Sequence, residues 1–173
     1  MTRVSRLLIL GVGNYLLGDE GVGVHAINAL AREKLPGWVH LLDGGTGGFS
    51  LLGTLGEYEV VILIDASLDE LEEGSLSLIE PGYSRDYPRS LSSHDIGLKD
   101  LIESAALLDY HPKIYLITVS VKKFQAFTTE LSEKIADKMP LLIELVRQTV
   151  EKAAQSGYSL GKARSIPSLN PIP

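Results

Sequence analysis

The segment "VVILIDA", residues 60–66, constrains the fold more than any other stretch of the chain. Its successive apolar residues demand burial on both faces, and only Asp65 is charged. A strand of that kind belongs at the centre of a parallel sheet covered by helices on each side. "LLILGVG" (7–13), "WVHLLD" (38–43) and "KIYLITVS" (113–120) read as its companion strands. "GSLSLIE" (74–80) alternates instead, which predicts a half-exposed, antiparallel edge strand. Helical spacing links Val22, His25, Ala26, Ala29 and Leu30, and again Leu98, Leu101, Ile102 and Ala105. "FSLLGTL" (49–55) predicts a short helix, and 81–93 a polar loop. A long helical pattern from Ser132 to Ala154 is kinked or divided by Pro140. This alternation of strand and helix predicts an α/β fold: a three-layer sandwich, with a mainly parallel twisted sheet between helices. One domain is expected over residues 1–155, followed by a mobile proline-rich tail over 156–173.

After the first strand comes "GVGNYLLGDEGVGVHA" (11–26), which at first sight is a nucleotide-binding glycine loop. The dinucleotide fingerprint needs a third glycine where this chain has Leu16. Asp19 and Glu20 also stand where a helix N-terminus would receive a phosphate, and they would repel it. The plain expectation for Asp19 is a helix cap. A carboxylate here also suits a metal ligand.

The choice between those roles rests on company. Asp65 ends the central strand, and Glu20 follows the end of the first, so both are expected at the carboxyl rim where open parallel sheets bind ligands. Asp43 ends the second strand, where bonding the backbone of the glycine turn behind it is the simpler role. Among the histidines, His25 reads as packed or supporting, His40 as structural and His111 as remote from the rim. His94, in "SSHDIGL", is placed to reach over the site. Two carboxylates and an imidazole suit a divalent ion of the nickel, zinc or iron type with open positions.

Composition narrows the partners. A net charge of -6 argues against nucleic acid or an anionic membrane surface. The absence of cysteine excludes disulfides, thiolate metal sites and a cysteine nucleophile. No apolar run approaches the roughly 18 residues that span a bilayer, so a cytoplasmic protein is expected.

Taken together, "LGVGNYLLGDEGVGVHA" (10–26), "DGGTGGFSLL" (43–52), "VVILIDA" (60–66) and "SSHDIGL" (92–98) resemble, in order and spacing, the hydrogenase maturation endopeptidases of nickel–iron hydrogenases. "ELSEKI" (130–135) looks like that family's late helix start. The resemblance implies a peptidase domain whose metal-contacting and catalytic residues fall on Glu20, Asp65 and His94. It implies removal of a C-terminal peptide from the hydrogenase large-subunit precursor once nickel has been inserted. The nickel would then be supplied by the substrate rather than held as a resident cofactor. A non-catalytic nickel-binding checkpoint or chaperone of hydrogenase maturation is the alternative.

Two segments bear on partner choice. After the strand at 113–120 many relatives carry a Gln-Pro or Glu-Pro segment, where this chain reads "VSVKKFQAF" (119–127). The glycines of "DGGTGG" suit either a tight turn or a loop that moves onto the precursor, and the resemblance favours the latter.

Overall fold

The computed structural model describes residues 2–4, 6–82, 98–157 and 163–165. In chain order the elements are β1 (Thr2–Val4), β2 (Leu7–Val12), α1 (Val22–Leu30), β3 (Val39–Gly45), α2 (Leu52–Leu55), β4 (Val60–Ser67), β5 (Leu76–Ile79), α3 (Leu98–Leu107), β6 (Lys113–Ser120), α4 (Glu133–Ala136), α5 (Met139–Gln155) and β7 (Ala163–Ser165). The main sheet has the order β3-β2-β4-β6-β5, with only the edge strand β5 antiparallel to its neighbour. β1 and β7 form a separate antiparallel pair.

Residue alternation explains why the strands read as continuous apolar runs. Leu7, Ile9, Ile62, Ile64, Tyr115 and Ile117 enter one core with α1 and α5, through Val22, Ala26, Leu142 and Val146. The intervening Leu8, Leu10, Val61, Leu63, Ile114 and Leu116 enter a second core with α2 and α3, through Leu55, Leu98 and Leu101. Every residue of β4 is buried, as a doubly covered central strand requires. The result is the expected three-layer sandwich. Pro140 sits in the first turn of α5, where its missing N–H costs nothing, so the long helical pattern is divided.

Close backbone contact sets α1 on the sheet. A side chain at Gly23 would place its Cβ 2.4 Å from the Ile64 carbonyl oxygen and 2.5 Å from that of Val12. The first turn of α1 is therefore pressed against the carboxyl ends of β2 and β4, one residue before Asp65. Among the described residues no helix is long and apolar enough to cross a membrane.

Candidate active site

The acid pair lies in a 3-10 turn, Gly18–Gly21, between β2 and α1. That turn packs against β4. Asp19 and Glu20 are both fully buried. Gly13 has φ +134°, and a Cβ there would lie 1.9 Å from the Glu20 carbonyl oxygen. The glycine loop thus serves the turn: it leaves room for the backbone that carries Glu20. Gly13 also donates its N–H to the Gly45 carbonyl at 2.9 Å, joining this loop to the end of β3.

Asp19 is not the cap that local rules predict. Neither the 3-10 turn nor α1 has a side-chain cap. Instead, Asp19 Oδ1 accepts the Ser132 N–H at 2.7 Å, and Oδ2 accepts from Gln125 Nε2 at 2.8 Å. Gln125 Oε1 accepts the Asp19 backbone N–H at 2.9 Å. Tertiary partners won over capping because the side chain is buried, and a buried carboxylate needs donors that solvent no longer supplies.

Asp65 is fully buried near the carboxyl end of β4 and accepts the Ala66 N–H at 2.8 Å through Oδ1. In the register of the sheet it lies beside Thr118, and Ser67 beside Ser120. All four are buried, so the apolar sheet turns polar at this end. Glu20 and Asp65 therefore occupy the same rim, on neighbouring elements.

The remaining candidates divide clearly. Asp43 is exposed and accepts the Gly45 N–H at 2.9 Å, stapling the glycine turn. His25 Nε2 donates to the Thr129 carbonyl at 2.9 Å, its ring centroid 4.9 Å from that of Tyr15. His40 Nδ1 bonds the Tyr58 hydroxyl at 3.0 Å, and His111 meets Asp109 just before β6, at the opposite end of the sheet. His94 and most of the 81–93 loop lie outside the described residues. Among the described residues no three His, Asp or Glu side chains gather closely enough to hold a metal ion. Sequence reasoning missed Gln125, Ser132 and Thr118. Thr118 and Ser120 had a signal in the polar ending of "KIYLITVS"; Gln125 had none, being one polar residue in an irregular stretch.

The same α/β sandwich occurs in known peptidases. Over 94% of this chain and 98% of theirs, the fold superposes with TM-score 0.78 and 27% identity on the hydrogenase maturating endopeptidase HybD from Escherichia coli. The [NiFe] hydrogenase maturation protease HybD from Thermococcus kodakarensis is similar, with TM-score 0.69 and 26% identity over 83% of this chain and 98% of that one. In sequence, the hydrogenase expression/formation protein HupD of Bradyrhizobium diazoefficiens is 33% identical over 94% of this chain and 85% of its own length. HupD of Thiocapsa roseopersicina is 34% identical over 87% of this chain and 69% of its own length. These comparisons define the class as an endopeptidase, a hydrolase. Residues 24–149 match the family described as hydrogenase maturation protease, HycI, and the chain belongs to that family.

Proposed function

We propose that this chain acts in the cytoplasm on the nickel-loaded precursor of a nickel–iron hydrogenase large subunit, removing its C-terminal extension after nickel insertion. Glu20, Asp65 and His94 contact the precursor's nickel and carry the cleavage. The observation behind this reading is the complete burial of Glu20 and Asp65 together at the one rim where the sheet turns polar. Packing gains nothing from two carboxylates there, and desolvating them is costly, which is characteristic of functional sites. Carboxylate oxygens and an imidazole nitrogen suit a divalent first-row ion while leaving positions open. In this reading the precursor's thiolates hold the ion, and the protease adds its oxygen and nitrogen donors from outside. The metal then sets the register of the scissile bond, which makes cleavage conditional on nickel.

The test is paired digestion of nickel-loaded and nickel-free precursor by metal-stripped enzyme, following release of the C-terminal peptide. Cutting of the loaded form alone is expected. Equal cutting of both would replace this reading with acid–base catalysis by Asp65 that needs no metal, and cutting of neither until metal is added back would replace it with a resident metal. Binding without release would identify a non-catalytic checkpoint.

A further inference from the structure

Between β6 and α4 the chain crosses the acid turn as an irregular segment, residues 121–132. Its backbone is laid along the turn: Gly18 N–H donates to the Thr128 carbonyl at 2.9 Å, Thr128 N–H to Leu16 at 3.1 Å, and Gln125 N–H to Leu17 at 3.3 Å. His25 of α1 adds its bond to Thr129. Gly18 has φ +58°, and a Cβ there would lie 2.2 Å from Gln125 Oε1, so the glycine leaves the space that the glutamine side chain fills. The segment also carries Phe127 at φ +58° and 95% exposed, a conformation that local preference alone would not hold.

Resting on the proposed role of Glu20, we infer that Gln125 is a positioning residue: through Asp19 it sets the backbone of the Gly18–Gly21 turn and so the carboxylate of Glu20. The grip demands an amide. One atom of the side chain must accept the Asp19 N–H while the other donates to the Asp19 carboxylate. The other Asp19 oxygen is already committed to the Ser132 N–H. Asp19 and Glu20 are adjacent in a four-residue turn, so any slip at the first residue moves the second.

This pattern of donors and acceptors yields a sharp test. Gln125→Glu leaves two carboxylates facing each other. Asp19→Asn forces a donor–donor contact at Ser132 N–H, at Gln125 Nε2 or at the backbone N–H of residue 19, however the two amides are turned. The double variant Asp19→Asn/Gln125→Glu restores every bond. The amide at position 19 accepts from Ser132 and donates to the carboxylate at position 125, whose second oxygen accepts the backbone N–H.

The experiment measures kcat and KM on nickel-loaded precursor, below the melting temperature of every variant, together with the Glu20 amide resonance in a ¹H–¹⁵N correlation spectrum. Each single variant is expected to lose about 10-fold or more in kcat, with KM within about threefold, while the Glu20 resonance moves. The double variant returns both readouts to near wild type. Val150→Ala is the stability control. It empties part of the core near the amino end of the sheet, where neighbouring Lys152 pairs with Glu80, and should lower the melting temperature with kcat unchanged. Single variants with wild-type kcat, or a double variant no better than they are, would overturn the positioning role. Wild-type enzyme that fails to cleave would sink the proposed function instead. The Glu20 resonance still decides the inference in that case: a resonance unmoved in the single variants overturns it.

Discussion

Gly13 carries as much information about the site as either carboxylate beside it. With φ +134° and the Glu20 carbonyl oxygen 1.9 Å from any Cβ, Gly13→Ala must strain the loop and push Glu20 away. A loss of about 3 kcal/mol is expected, on the order of 10 °C in melting temperature, together with loss of processing. Thermal unfolding and a cleavage assay check both; an alanine variant with normal activity would refute the link between this glycine and Glu20. Glu20→Gln, Asp65→Asn and His94→Ala should each reduce peptide release by about 10²-fold or more, the scale of losing an acid–base group. Circular dichroism is expected to show that these variants stay folded. That Glu20 and Asp65 would share one rim was legible because each is a local anomaly: acids inside a glycine turn, and one charge ending an apolar strand. Asp19 was misread as a cap because capping is a local rule, while its partners lie 106 and 113 residues along the chain. Its replacement by Asn therefore costs about 1–3 kcal/mol, the price of a buried donor left without an acceptor.

Among the elements, the sheet edge offers a test by pH. Glu80, just after β5, pairs with Lys113 of β6 at 3.1 Å and with Lys152 of α5. The hydrogen bond from Lys152, then that from Lys113, holds its carboxyl below the ordinary value of 4.5. A lowered folded-state pKa contributes stability at neutral pH that is lost as pH falls through that pKa. Glu80→Gln should thus lower the melting temperature at pH 7 by the worth of exposed ion pairs, under about 1 kcal/mol. The gap from wild type should close as pH drops below 4.5; a gap that persisted in acid would assign the effect to packing. Within α2, Gly53 has open space where its Cβ would be, so Gly53→Ala should gain roughly 0.5 kcal/mol, read as a small rise in melting temperature. The elements themselves were readable wherever a period was present. β4 showed in its unbroken apolar run, β5 in its alternation, and the break before α5 in Pro140. The pairing of β1 with β7 was not, since strands of three residues contain too little sequence to display a period.

At the scale of the whole molecule, the sandwich was legible because β4 had to be covered on both faces, and only two helical layers do that. The clasp on the acid turn was invisible because it joins segments that share no sequence pattern. That same long separation orders the folding of the protein in time. Contacts between nearby segments close before those spanning most of the chain, because long loops cost more entropy to shut. β2 and β3 can pair, and partly cover the single tryptophan, Trp38, just before β3, well before residues 125–132 return to the turn. In refolding from denaturant, Trp38 fluorescence should recover in an early phase and processing activity in a later one. Simultaneous recovery would mean that the turn is set without the clasp. A chain still emerging from the ribosome holds Glu20 and Asp65 long before it holds Gln125. On the positioning role inferred for Gln125, the site of a growing chain is not set until residues 125–132 have been made and have returned to the turn.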